Sequence, residues 1–254
     1  MTLLFCHANG FPASSYRAFF QALAQPVHYV EKLGHSHFSL RKDVRELAHE
    51  LLDFLQAFDK PIQVIGHSSG AIIAMQAKML APEAIDQLVL MEPPIFRPTK
   101  RHLIGLVQRL GLSEHLIPPA KSAARRKTQF HDPEHAFYYF RKKKFFDRVG
   151  DDVLWDYVRS GLEQKSDGSW GLSFSPDLEL KIFSSLPVRL PSTWQSIQGL
   201  FVMGTETDLY TTRDRHWLQR YFRAMQWADC PGSHIFPLES PIEAANLIRP
   251  YLAK

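Results

Sequence analysis

Apolar residues along this chain fall into two alternating kinds of run. Short runs of four or five, dense in Val, Ile, Leu and Met, occur at Leu3–Cys6, Val27–Glu31, Ile62–Ile65, Gln87–Met91, Leu200–Met203 and Met225–Ala228. Their length and continuity predict buried strands. Between them lie longer stretches with helical spacing. Ser14–Ala24 carries Phe19, Phe20 and Leu23 on one side. Asp43–Phe58 repeats Val44, Leu47, Ala48, Leu51, Leu52 and Leu55, an amphipathic helix. An apolar run from Ala71 to about Leu80 follows the third strand, and a helix through Trp217–Phe222 precedes the sixth. Ser240-Pro241-Ile242-Glu243 opens the last helix as a capping box with proline at its first position. Strands alternating with helices of this length predict a parallel sheet covered on both faces, an α/β architecture of about six strands.

The alternation breaks at Glu92-Pro93-Pro94. From 95 to 196 the pattern is mostly helical, basic and aromatic, punctuated by Pro118-Pro119, Gly150 and the polar run 165–171. The expected organisation is therefore a core of residues 1–94 and 197–254, with 95–196 as a helical insert. No internal repeat or low-complexity tract is seen.

Charge sharpens that division. Residues 97–148 hold 13 Lys and Arg against 4 Asp and Glu, while the other residues hold 17 against 22. A basic insert thus sits in a mildly acidic body. Its runs Arg125-Arg126-Lys127 and Arg141-Lys142-Lys143-Lys144 could face an acidic substrate, a membrane surface or nucleic acid; a solvated helix face is the plainer reading. The aromatic residues Phe137, Tyr138, Phe140, Phe145, Phe146, Trp155 and Tyr157 read as the apolar underside of a lid rather than a base-stacking surface.

Composition bounds the rest. The chain has 254 residues, 45% of them hydrophobic, enough for a large core without disulfides or metal. Cys6 and Cys230 are read as buried free thiols in a reducing compartment. No leader, no membrane-spanning run and no metal-ligand spacing is recognised, so the expectation is a cytoplasmic protein without cofactor, metal site or stable membrane insertion.

The chemistry is concentrated where strands end. Gly66-His67-Ser68-Ser69-Gly70 joins a buried strand directly to a buried helix. A turn that tight forces its middle residue into a strained conformation and lifts the side chain clear of the sheet. The helix start then aims free N–H groups at whatever the side chain attacks. Ser68 is read as a nucleophile. A serine hydroxyl needs a base, and the base needs an orienting group. Met203-Gly204-Thr205-Glu206-Thr207-Asp208 leaves the fifth strand and Cys230-Pro231-Gly232-Ser233-His234 the sixth. In a parallel sheet all these ends open on one rim, so Asp208 and His234 can meet Ser68. Glu206 and Glu92 are the other candidate acids.

These three motifs and a fourth, His7-Ala8-Asn9-Gly10-Phe11-Pro12 after the first strand, resemble the α/β-hydrolase superfamily in its capped, esterase- or lipase-like branch. The likeness covers nearly the whole chain, and the order Ser, Asp, His is that of the superfamily. The stretch 124–162 also resembles the lid of a group of capped hydrolases. The resemblance implies that Ser68, His234 and Asp208 form a catalytic triad. It implies an oxyanion hole from the backbone N–H of Ser69 and one from the His7 loop. Asn9 is the choice there, with Gly10 and Phe11 as alternatives because Ala8 replaces the usual glycine. His7, Phe11 and His67 are candidate substrate contacts.

The implied activity is hydrolysis of a carboxylic ester through an acyl-enzyme, on a small-molecule substrate with an acyl group. Similar proteins cleave thioesters, amides or carbon–carbon bonds beside a ketone with the same groups. A serine argues against dehalogenation or epoxide opening, which use a carboxylate there. The rival classes are a non-catalytic ligand receptor on the same fold and a nucleic-acid binder using the basic insert; no nucleic acid is expected. The superfamily's first two strands are absent, so Val27–Glu31 should lie at an open edge. That edge predicts a homodimer contact or a covering loop.

Overall fold

The computed structural model describes residues 2–37, 40 and 43–252. The core elements follow the expected rhythm. β1 (Thr2–Cys6) leads through a short 3-10 turn to α1 (Arg17–Leu23), then β2 (Val27–Tyr29), α2 (Leu47–Leu55), β3 (Ile62–His67), α3 (Ser69–Leu80) and β4 (Ile85–Met91). The insertion contributes α4 (Pro98–Arg109), α5 (Ser113–Leu116), α6 (Pro118–Ala124), β5 (Gln129–Phe130), α7 (Pro133–Arg141), α8 (Asp151–Gly161), β6 (Leu162–Gln164), β7 (Trp170–Leu172) and α9 (Pro176–Ser184). The core resumes with β8 (Gly199–Gly204), α10 (Thr212–Tyr221), β9 (Met225–Cys230), α11 (Phe236–Glu239) and α12 (Pro241–Leu252).

Six strands form one sheet in the order β2-β1-β3-β4-β8-β9, every pair parallel. Side chains alternate between two cores. Leu3 and Phe5 of β1, Ile65 of β3, Val89 and Met91 of β4, and Leu200 and Val202 of β8 pack on the side of α1 and α12. Leu4, Val64, Leu88, Leu90, Phe201 and Met203 pack on the side of α2 and α3. This period of two, buried on both faces, is why the strands read as continuous apolar runs. No helix among the described residues is long and apolar enough to cross a membrane. Cys6 and Cys230 are buried and unpaired.

Two differences from the sequence reading have local causes. β2 stops two residues early because Glu31 is used elsewhere. Its carbonyl accepts from Ala13 N–H (2.9 Å), and its carboxylate accepts from the Ser14 hydroxyl (2.7 Å), both in the 3-10 turn that precedes α1. The insertion is mostly helical but also holds a small antiparallel sheet, β5-β7-β6. Of the seven aromatic residues expected on its underside, Phe137, Phe140, Phe146 and Tyr157 are buried and Trp155 stacks on Phe137 at 4.5 Å. Tyr138 and Phe145 face solvent instead.

Candidate active site

Ser68 sits at the junction of β3 and α3 with φ +53° and ψ −120°. Few L-residues adopt that conformation, and it is held by tight neighbours. A Cβ on Gly66 would lie 2.5 Å from Ala71 Cα, and one on Gly70 would lie 2.2 Å from the Cys6 carbonyl oxygen. Only glycine lets the helix pass that close to two strands. Ser68 N–H donates to the Met91 carbonyl (2.8 Å), which ties the turn to the end of β4.

His234 approaches from the loop after β9. That loop is closed by Glu239, whose carboxylate accepts from Ser233 N–H (2.6 Å) and from the Ser233 hydroxyl (2.7 Å). The imidazole bridges two side chains. Its Nδ1–H donates to Glu92 Oε2 (2.7 Å), and its Nε2 accepts from the Ser68 hydroxyl (3.0 Å). A carboxylate can only accept, so the bond to Glu92 fixes the proton on Nδ1 and leaves Nε2 as the acceptor facing the serine.

The acid in contact with His234 is therefore Glu92, not Asp208. Glu92 follows β4 directly, is fully buried and has φ +47°. Its Oε1 accepts from Gly204 N–H (2.7 Å), and its Oε2 also accepts from the Thr207 hydroxyl (2.8 Å). Asp208 is exposed on the loop after β8. Glu206, the other alternative, is exposed too and pairs with Arg148 of the insertion. The physical reason is position and solvation. β4 lies beside β3, which carries Ser68, and the His234 ring reaches across the end of β8 to both, touching Ser68 with one nitrogen and Glu92 with the other. The loop after β8 supplies donors to that carboxylate rather than a carboxylate of its own. A signal was present in the sequence: an acid placed immediately after an apolar strand, at the same rim as Ser68, where two prolines end the α/β rhythm.

The loop after β1 is tightly bonded. His7 is buried; its Nδ1–H donates to the Ala8 carbonyl (2.8 Å) and its Nε2 accepts from Leu33 N–H (2.8 Å). Burial pushes its pKa down to about 4. His67 is fully buried between Tyr16 and the His234 loop. Tyr16 donates to its Nδ1 (2.7 Å), and its Nε2–H donates to the His234 carbonyl (2.9 Å). Burial, then the neighbouring His234, push its pKa down to about 3. Both nitrogens of both rings are thus taken up inside the protein. These two histidines hold loops in place, and neither has a ring nitrogen free to hydrogen-bond a substrate.

Phe11 is buried in an aromatic wall, 5.0 Å from the Tyr157 ring and 6.1 Å from that of Phe145. Its N–H donates to the Ala8 carbonyl (3.2 Å), which removes it as an oxyanion donor. Asn9 uses its side chain to bind the Glu179 carbonyl of α9 (2.9 Å), while its backbone N–H has no acceptor among the described residues. Ser69 is the first residue of α3, where a helix has no internal acceptor for its N–H.

The insertion reaches the same place. Glu179 is buried against Gly10, pairs with Arg126 (2.7 Å), and burial pushes its carboxyl above the usual range. Arg126 also donates to the Tyr157 hydroxyl (3.3 Å). The basic run 125–127 is thus divided: Arg125 is exposed, while Arg126 is spent on a buried pair beside the β1 loop. Lys142, Lys143 and Lys144 are all exposed.

The same fold recurs in solved structures. The fold superposes on E-2-(acetamidomethylene)succinate hydrolase with a TM-score of 0.80 at 15% identity, covering 100% of this chain and 91% of that one. An esterase of M. tuberculosis gives 0.73 at 17%, covering 99% and 85%. A thioesterase domain from the curacin biosynthetic pathway gives 0.69 at 18%, covering 97% and 90%. No curated protein sequence matches at a significant level. At these identities the likeness establishes the fold. The family model for the alpha/beta hydrolase family matches residues 3–246, nearly the whole length. With a strained serine after β3 and a histidine after β9 on one parallel sheet, the chain belongs to the alpha/beta hydrolase family.

Proposed function

We propose that this protein is a serine hydrolase that cleaves a carboxylic ester through an acyl-enzyme, with Ser68, His234 and Glu92 as its catalytic groups. The carrying observation is the unbroken hydrogen-bonded chain from Ser68 Oγ through both imidazole nitrogens to Glu92. Ser68 attacks the acyl carbon while Nε2 of His234 takes its proton. The imidazolium so formed is stabilised by the buried Glu92 carboxylate. His234 then gives the proton to the leaving alcohol. Water attacks the acyl-enzyme by the same route in reverse roles. The N–H groups of Ser69 and Asn9 serve the oxyanion.

Residues 95–196 act as a cap over this site. Phe11, Phe146 and Tyr157 supply an apolar wall for the acyl group, and the buried Arg126–Glu179 pair sets a polar limit to it. Water is kept from the acyl-enzyme except by a route the cap controls. The exposed flank of β2, where His28 faces solvent, is the surface on which a second copy would pair.

The test compares wild type with Ser68→Ala on short and long acyl esters and on acyl thioesters, together with labelling by a serine-directed phosphonate. Wild type should hydrolyse at least one ester series and carry a single adduct on the peptide containing Ser68. The variant should do neither. Thioester turnover without ester turnover would move the assignment to a thioesterase. A wild type that is inert and unlabelled would make the protein a ligand receptor on this fold.

A further inference from the structure

The helix that opens the insertion is turned inside out. α4 and the residue that caps it place Leu103, Leu106 and Leu110 in solvent, at 63%, 54% and 60% exposure. Their spacing of three and four puts them on one stripe. Leu116 of α5 adds a fourth exposed leucine, at 59%. A surface helix ordinarily turns such a stripe toward the core.

Here the opposite side is fastened down by polar side chains. Lys100 Nζ donates to the Leu209 carbonyl (3.2 Å), Arg101 Nη1 to the Val188 carbonyl (2.9 Å) and Gln108 Nε2 to the Leu186 carbonyl (3.0 Å). Lys100 also lies over the Phe96 ring at 3.7 Å. With Val107 buried on that side, rolling the helix to hide its leucines would break three hydrogen bonds to carbonyls. The leucines are held outward.

We infer that this leucine stripe is a docking surface for an anionic lipid bilayer, on which the protein adsorbs reversibly with α4 lying in the plane of the headgroups. Charge complementarity selects this occupant. Residues 97–127 carry eight Lys and Arg against one acid, Glu114; Arg97, Lys100, Arg101 and Arg126 are engaged with the body, which leaves Arg109, Lys121, Arg125 and Lys127. Arg109, at the edge of the stripe on α4, and Lys121 and Arg125, in α6 and at its end, are exposed. Exposed apolar side chains on a segment with exposed cations suit an interface with anionic headgroups above acyl chains. A second copy is a poorer fit, because a two-fold contact would set Arg109 and its neighbours against their own copies. A protein partner is disfavoured because the stripe is made of leucines without an aromatic anchor of the kind that concentrates binding energy.

The test is co-sedimentation of the full chain with vesicles of phosphatidylcholine and phosphatidylglycerol in about equal amounts. Wild type should bind at low ionic strength, and more weakly to pure phosphatidylcholine. Leu106→Ser/Leu110→Ser should lower the partition coefficient about 100-fold, roughly tenfold for each leucine removed from the interface. Arg109→Ala should lower it about fivefold. Leu106→Ile/Leu110→Ile should restore binding, and an unchanged melting temperature in each variant excludes misfolding. Three results would overturn the inference. Wild type could stay in the supernatant. The serine variant could sediment like wild type, which would mean attraction by net charge alone. Sedimentation velocity could show a wild-type dimer that the serine variant loses, which would give the stripe to a second copy.

Discussion

β4 and β8 are neighbours in the sheet, end at the same rim, and each is followed by an acidic residue within reach of sequence-based suspicion. Their environments are opposite. Glu92 is fully buried, bent into a left-handed backbone conformation and met by Gly204 N–H, the Thr207 hydroxyl and His234. Asp208 stands in solvent. The difference shows that an orienting acid is defined by the donors that surround it. Three donors aimed at one buried carboxylate offset its desolvation and fix its direction. An exposed carboxylate needs no such support and gives none.

The sharpest way to break this comparison is to neutralise each acid in turn. Glu92→Gln keeps the shape but replaces an acceptor of the Nδ1 proton with a group that can favour the wrong tautomer. Under the proposed chemistry kcat should fall about 10⁴-fold, measured by steady-state hydrolysis of an ester substrate. Thr207→Val removes one donor to the same carboxylate and should lower kcat about tenfold with little change in KM. Asp208→Asn should leave kcat/KM within about twofold of wild type, as for other exposed charges without a fixed partner. A large loss from Asp208→Asn and a small one from Glu92→Gln would return the acid to the loop after β8.

A pH series sharpens the comparison on its buried side. His7 and His67 lie beneath the same rim with pKa values pushed down to about 4 and about 3, against an ordinary 6.5. Above pH 6.5 both are neutral in the folded and unfolded chain. Below it the unfolded chain takes up protons that the folded chain refuses, so stability is lost as pH falls from about 6.5 toward 4 and 3. Between pH 7 and pH 5 the melting temperature should drop by roughly 5 °C, followed by circular dichroism. His67→Gln should flatten that slope. A slope identical to wild type would mean that His67 is protonated freely in the fold.

How far the sequence carried each of these features depends on the range of the forces involved. The six parallel strands were legible because each is a local apolar run, and their parallel direction follows from alternation with helices; their order in the sheet does not. Ser68 and His234 stand in turns whose glycines are visible side by side in the sequence, and the structure brings the two side chains within hydrogen-bond distance. Glu92 is different. Its selection depends on donors 112 and 115 residues away, and on a backbone angle that no neighbouring residue announces. The helical character of 95–196 was legible, but its small sheet was not, because β5 has two residues and β6 and β7 have three, too short to show a period. The direction of the α4 leucines was also hidden. Helical spacing identifies a stripe but not which way it faces. That is set by carbonyls of residues 186, 188 and 209, far along the chain.

The bond from Gly204 N–H to Glu92 Oε1 has a further meaning for anyone who would rebuild this enzyme. The carboxylate is a clasp as well as an electrostatic partner, since it buttons the end of β8 to the end of β4. Transplanting the acid to position 208 by exchanging Glu92 for a neutral residue would undo that clasp and leave Gly204 N–H and the Thr207 hydroxyl without their acceptor. A working transplant needs a replacement fastener for Gly204 before it needs a new negative charge.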